Sequence, residues 1–235
     1  SGTQVITQFS SVFPSSHGYL AQNVNLKSII LAFSGTRRVL SVVADAMVWM
    51  SNWPEGDPDS MVHSGFLSSY QANRDKFIGI IFLLLKSNPD YKIAFVGHSL
   101  GAAQAVIAAS DFAKNYPELI PHIELYAFGQ PRVGNKGFVD IFNAYNLPVV
   151  RRVTNKDDIV PHLPLLQMGY INYNDEYWIR HGDNQAVQCD VEESGVETRF
   201  CSRCQPLWPN YTWLTHHLVY WDVKFWEHLP DWASD

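Results

Sequence analysis

Hydrophobic positions along the chain fall into short runs whose period changes from segment to segment. Residues 1–25 combine alternating apolar positions with turn signals at Phe13-Pro14 and His17-Gly18, the pattern of an edge strand or hairpin. Ser28–Phe33 (SIILAF) reads as a buried strand that runs straight into Ser34-Gly35-Thr36. After Met61–Phe66 a helical pattern continues to about Lys86, where Asn88-Pro89-Asp90 stops it. Ile93, Phe95 and Val96 mark a second buried strand, and from Leu100 the composition turns to Ala, Leu, Gln and Ile, which favour helix. Pro121 breaks the chain before a strand over Ile123–Phe128; Gly137–Asn146 is predicted helical and Val149–Thr154 is again β-rich. Strands alternating with helices predict an α/β fold with a largely parallel sheet, whose ligands bind beyond the carboxyl ends of the strands. No internal repeat and no Pro- or Ser-rich linker interrupts the pattern, so residues 1–235 read as one domain.

Composition narrows the function classes. The chain is 46% hydrophobic with a net charge of −6, and no basic cluster exceeds the pairs Arg37-Arg38 and Arg151-Arg152, which speaks against nucleic acid as a partner. The longest apolar run, Phe77–Leu85, is too short to span a bilayer. No signal peptide opens the chain, as expected for mature or trimmed residues. Cys189, Cys201 and Cys204 lie close together, and a zinc site would need a fourth ligand and a second paired unit. One disulfide plus a leftover thiol is the expectation. With the sequon at Asn210 it points to a secreted, oxidised and glycosylated protein.

Chemistry enters at Gly97-His98-Ser99-Leu100-Gly101, a G-x-S-x-G placed where strand becomes helix. Neighbouring strand and helix crowd both flanking positions there, which is why glycine is needed. The sharp turn presents the serine hydroxyl beside the unpaired N–H groups of a helix N-terminus. Ser99 is thus the candidate nucleophile and the Leu100 N–H one oxyanion donor. The loop Ser34-Gly35-Thr36 ends another strand and offers a hydroxyl residue of the same use.

A serine needs a base, and the base a carboxylate, which in this architecture follow in the order acid, then histidine. Asn155–Pro161 offers Asp157 and Asp158; Asp158 abuts Ile159-Val160-Pro161 and is expected to be the more buried. Among nine histidines, chain order leaves His216 and His217 as equal candidates for the base. Arg37–Trp53 is almost wholly apolar and by default a core helix, yet it leaves directly from the candidate oxyanion loop. A helical flap there would hide the serine in water. Opening it would expose roughly 300 Å² of apolar surface at a cost on the order of 7 kcal/mol, which a lipid surface could absorb.

With these residues in view the sequence resembles the class 3 lipases of filamentous fungi, α/β-hydrolases that include secreted triacylglycerol lipases and feruloyl esterases. Ordered matches run through FSGT at 33–36, VHSGF at 62–66, VGHSLGAA at 96–103, FGQPRVGN at 128–135, DIVPHLP at 158–164, EYW at 176–178 and HLVYW at 217–221. The resemblance implies a mostly parallel central sheet with helices on both faces and a helical lid over about residues 37–53. It implies Ser99 as nucleophile, Asp158 as acid and His217 as base, since the family histidine stands three residues before a tyrosine. Thr36 and Leu100 would supply the oxyanion donors, while Pro131, Val160 and Leu163 would line the acyl cleft. The expected substrate is an acylglycerol met at a lipid–water interface through the lid, with no metal or organic cofactor. A feruloyl-type esterase would share every one of these residues, and a non-catalytic lipid-binding protein would need a broken triad. Two departures stand out: Ser34 replaces the usual Arg, and the helical segment with which family members commonly begin has no counterpart.

Overall fold

A strand buried on both faces needs a near-continuous apolar run, and the chain spends its most apolar short segments on such strands. The structure is a computed structural model that describes residues 2–12, 16–35, 49–54, 57–173, 176–189, 201–204, 212–221 and 223–225. The chain opens with β1 (Thr3–Ser11), β2 (Ser16–Asn23) and β3 (Ser28–Phe33). Next come β4 (Met50–Asn52), β5 (Met61–His63), helix α1 (Ser64–Ser87), β6 (Lys92–His98) and α2 (Leu100–Asn115). They are followed by β7 (Ile123–Phe128), α3 (Lys136–Ala144), β8 (Val149–Asn155), β9 (Glu176–Ile179) and β10 (Ala186–Gln188). The short helix α4 (Trp213–Leu218) leads into β11 (Val219–Tyr220) and β12 (Val223–Lys224).

Eight strands form one sheet in the order β1-β2-β3-β6-β7-β8-β9-β10. From β3 to β9 every neighbouring pair is parallel, while the β1–β2–β3 edge and the β9–β10 edge are antiparallel. This register lines up Phe33, Gly97, Ala127 and Arg152 near the carboxyl ends of four successive strands, with His98, Phe128 and Val153 one step beyond on the last three. The site is built along that line.

Helix α2 begins at this line and packs against β3, β6 and β7, with α1 against its outer side. A helix covered on all sides must be thin, and every residue from Leu100 to Ala113 is buried, six of them alanine. One buried carboxylate ties the two helices. Asp111 of α2 accepts from Tyr70 Oη at 2.6 Å, Arg74 Nε at 2.7 Å and Asn115 Nδ2 at 2.7 Å. Phe9, Phe33, Tyr70 and Phe77 fill the space between α1 and the sheet in edge-on and tilted contacts.

Helix α1 is capped by an imidazole. His63 Nδ1 accepts the Gly65 and Phe66 N–H groups at 3.1 and 3.3 Å, and burial lowers its pKa from 6.5 to about 4. The same corner settles where the apolar run Arg37–Trp53 ends. Residues 50–52 pair with β5, and Trp53 is buried, edge-on to Tyr70, with its N–H and carbonyl both bonded to Ser60. The last part of the expected lid is therefore a strand and a core tryptophan. Thr36 and residues 37–48 lie outside the described residues, as does Asn210. A disulfide joins Cys189, just after β10, to Cys201; the Cys204 side chain lies outside the described residues.

Candidate active site

The turn between β6 and α2 holds Ser99 at φ +57° and ψ −126°, a backbone conformation rarely open to a residue with a side chain. Its neighbours enforce it. A Cβ on Gly97 would lie 2.2 Å from the Gly101 carbonyl oxygen, and one on Gly101 would lie 2.2 Å from the Phe33 carbonyl oxygen. The Ser99 N–H is spent on the Phe128 carbonyl at 2.9 Å, and its own carbonyl accepts from Ala102 and Ala103. The hydroxyl makes no capping bond to the helix it precedes. Helix geometry leaves the N–H groups of Leu100 and Gly101 without intrahelical acceptors, so the serine sits at an electropositive opening.

The loop leaving β3 comes against this turn. A Cβ on Gly35 would lie 3.4 Å from Ser99 Cβ and 3.0 Å from the His98 carbonyl oxygen. The Ser34 N–H is held by the His17 carbonyl at 2.9 Å and its hydroxyl by Gly35 O at 3.0 Å. The strand-end loop thus reaches the position expected of it, up to residue 35.

Asp158 follows β8 and is 1% exposed. Four groups meet its carboxylate. The Val160 N–H donates to Oδ1 at 2.9 Å, the Tyr220 hydroxyl donates to Oδ2 at 2.9 Å, and His217 Nδ1 lies 2.8 Å from Oδ2. The fourth is the bare Cα of Gly129 (φ +54°), where a Cβ would fall 3.0 Å from both Oδ2 and His217 Cε1. Burial first, and the Asp158 charge second, push the Tyr220 phenol far up, so it remains a donor. A carboxylate cannot donate, so His217 Nδ1 carries the proton of that bond and Nε2 is the free basic nitrogen. Nε2 is buried and has no hydrogen-bond partner among the described residues; a bond to the Ser99 hydroxyl is not formed in this structure. The two side chains share one neighbourhood nonetheless. Ser99 is bonded to Phe128, a Cβ on the adjacent Gly129 would fall 3.0 Å from His217 Cε1, and the His98 ring lies 4.5 Å from that of His217.

The structure separates the two histidines that chain order leaves equal. His217 is fully buried on Asp158, whereas His216 is partly exposed and pairs with Asp157. Pro131 and Val160 are buried and Leu163 half-buried. Their loops are joined by Arg132, whose N–H donates to Leu163 O at 2.7 Å and whose buried guanidinium donates to His162 O and to Pro164 O. Sequence reasoning gave no role to Asn155. Its Nδ2 donates to His216 O at 2.9 Å and Val219 O at 2.7 Å, pinning the histidine turn to the end of β8. A polar residue closing a β-rich run was its only signal. Among the described residues no cluster of metal-binding side chains occurs, and no helix is long and apolar enough to cross a membrane.

A parallel sheet, a strained serine at a strand–helix corner and an Asp–His pair delivered after it define an α/β-hydrolase. The chain belongs to the class 3 lipase family, whose model matches residues 30–168, more than half its length. It is 34% identical to a lipase of Rhizopus niveus over 222 residues, 94% of this chain and 55% of the relative. A secreted mono- and diacylglycerol lipase A of Penicillium cyclopium is 38% identical over 188 residues, 79% of this chain and 59% of the relative. Among solved structures, a triacylglycerol lipase whose catalytic centre is described as a serine protease triad superposes with a TM-score of 0.85. Its identity is 31%, over 95% of this chain and 82% of that one. The chain spans a little over half the length of these curated relatives.

Proposed function

We propose that this chain is a carboxylic-ester hydrolase, a lipase that cleaves acylglycerols at a lipid–water interface through Ser99, His217 and Asp158. The observation that carries the reading is the buried Asp158–His217 pair, with its outer nitrogen unclaimed, next to a strained serine. In the first half-reaction Ser99 Oγ attacks the ester carbonyl carbon while its proton passes to His217 Nε2. The Leu100 N–H, with Thr36, binds the oxyanion, each such donor being worth roughly 3–4 kcal/mol. The C–O bond to the alcohol breaks, His217 returns the proton to the leaving oxygen, and Ser99 is left acylated. Water then gives a proton to His217 and attacks the acyl carbon; the bond to Ser99 Oγ breaks, His217 returns the proton to Oγ, and the fatty acid leaves. Asp158 stays ionised throughout and stabilises the imidazolium.

Acylglycerols are favoured over aromatic esters by the apolar residues 39–53, which we read as a lid over the site up to the strand at Met50. Pro131, Val160 and Leu163 are assigned to the acyl cleft. The disulfide, the Asn210 sequon and the secreted relative support an extracellular, glycosylated enzyme. Turnover of tributyrin emulsion, methyl ferulate and p-nitrophenyl butyrate by the purified chain and by Ser99→Ala tests the reading. Tributyrin hydrolysis that Ser99→Ala abolishes, in a variant of unchanged circular dichroism, is the expected result. Activity retained by Ser99→Ala would refute the assignment, and preference for the ferulate would move the substrate class.

A further inference from the structure

The residue before the serine is a buried histidine that the mechanism above leaves without a part. Its ring lies against those of His217, Tyr220 and Phe225. His98 Nε2 lies 2.7 Å from the backbone carbonyl oxygen of His217. A carbonyl can only accept, so Nε2 carries the proton and Nδ1 is bare. The Nδ1 side faces the loop from β3, where a Cβ on Gly35 would stand 3.3 Å away. One ring face is stacked on Phe225 at 4.0 Å and 13°, and Tyr220, which holds Asp158, meets it edge-on at 5.9 Å. The Phe225 N–H in turn donates to Leu218 O at 3.0 Å, so the segment after the base closes over this imidazole.

We infer that His98 is a positioning residue: by donating Nε2–H to the backbone of His217 it sets the reach between the base and the nucleophile that follows His98 in the chain. The inference rests on the reading of Ser99 and His217 given above. Its physical content is a tether. Ser99, at the turn into α2, and His217, in α4, lie well over a hundred residues apart and make no direct bond in this structure, and the bond from the His98 ring to the His217 carbonyl links the two segments across 119 residues. Burial, and secondarily the neighbouring His217, hold the His98 ring neutral, so it gives this bond without competing for the proton that His217 must take. Placement errors near 1 Å cost about a hundredfold in a reaction of this kind, which makes a single fixed bond at the base worth keeping.

The test compares wild type with three variants. In a glutamine the amide nitrogen falls where His Nε2 lies and can still donate; in an asparagine it falls where Nδ1 lies and cannot reach the His217 carbonyl. Phenylalanine keeps the stack on Phe225 and removes the donor. For each variant the rate of covalent labelling by a fluorophosphonate is measured, with kcat, KM and the pH profile on p-nitrophenyl butyrate below its micellar range. Labelling and kcat should fall about tenfold to a hundredfold in His98→Asn and His98→Phe, with KM within about twofold. His98→Gln should recover to within about fivefold of wild type. The acid limb of kcat/KM should keep its midpoint in every variant, because no charge is lost. Glutamine and asparagine variants of equal activity would overturn the tether, whether or not the phenylalanine variant folds, and so would a shifted acid limb. Wild type that fails to label would instead sink the reading of Ser99 on which the tether rests.

Discussion

Two histidine–aspartate pairs stand side by side in this molecule, offset by one residue in both segments: His217 with Asp158, and His216 with Asp157. Their chemistry is the same and their surroundings are opposite. The inner pair is fully enclosed, and its carboxylate is held by a phenol, a backbone N–H and the imidazole, with Gly129 packed against them. The outer pair is partly in water, and its carboxylate takes a second bond from the exposed Thr212. An Asp–His contact is therefore not in itself a site. Burial raises the strength of the inner interaction, and the three donors on one carboxylate fix the ring that it holds. In the outer pair water screens the charge, and the ring that meets the imidazole is that of the exposed His181, edge-on at 5.5 Å.

The sharpest way to break this contrast is to neutralise each carboxylate. Asp158→Asn should cost about 10⁴-fold in kcat, roughly 5 kcal/mol, with the protein still folded, as followed by p-nitrophenyl butyrate turnover beside circular dichroism. Comparable losses in Asp157→Asn would erase the distinction between the pairs. A third imidazole sharpens it next. His63 is buried with no carboxylate partner and titrates near 4 when folded, against 6.5 when free. Between those values the unfolded chain binds a proton that the folded chain refuses, so stability falls as pH drops from 6.5 towards 4, by about 3 kcal/mol in all. In urea titrations across that range His63→Asn, which keeps an acceptor for the α1 cap, should flatten the slope. Tyr220→Phe is the third step. It deprives Asp158 Oδ2 of one donor and should destabilise the fold by about 1–2 kcal/mol while slowing turnover severalfold; an unchanged melting midpoint and kcat would remove the phenol from the account. His216→Gln should be the mildest change, within about 0.5 kcal/mol in stability and about twofold in kcat.

Much of the sheet is legible in the residues because buried parallel strands must be apolar throughout. Segments such as SIILAF and IELYAF leave little alternative, and glycines at 97 and 101 mark the corner between strand and helix. The strand at 50–52 is not legible: it sits inside a run whose composition suits a helix, and its pairing with β5 comes from a turn closed by Asn52 and Ser60. Helix α3 starts one residue before the expected Gly137, because the Asn135 side chain caps it at Phe138, and it ends at Ala144. At the site, residue order gives Ser99 and the aspartate pair, but cannot choose between adjacent histidines. Successive residues of a helix point about 100° apart, so which of the two looks inward depends on how α4 is hung from Asn155. His98 lies in the turn itself, and its contacts come from residues 217–225, so no local pattern announces them.

The hanging of α4 on the end of β8 has a consequence for synthesis. A nascent chain that has reached β10 contains every strand of the sheet and the serine corner, yet its acid has no imidazole, since His217 arrives 59 residues after Asp158. In such a chain Ser99 has no base within the folded part, and the proposed constellation is complete only when α4 folds back.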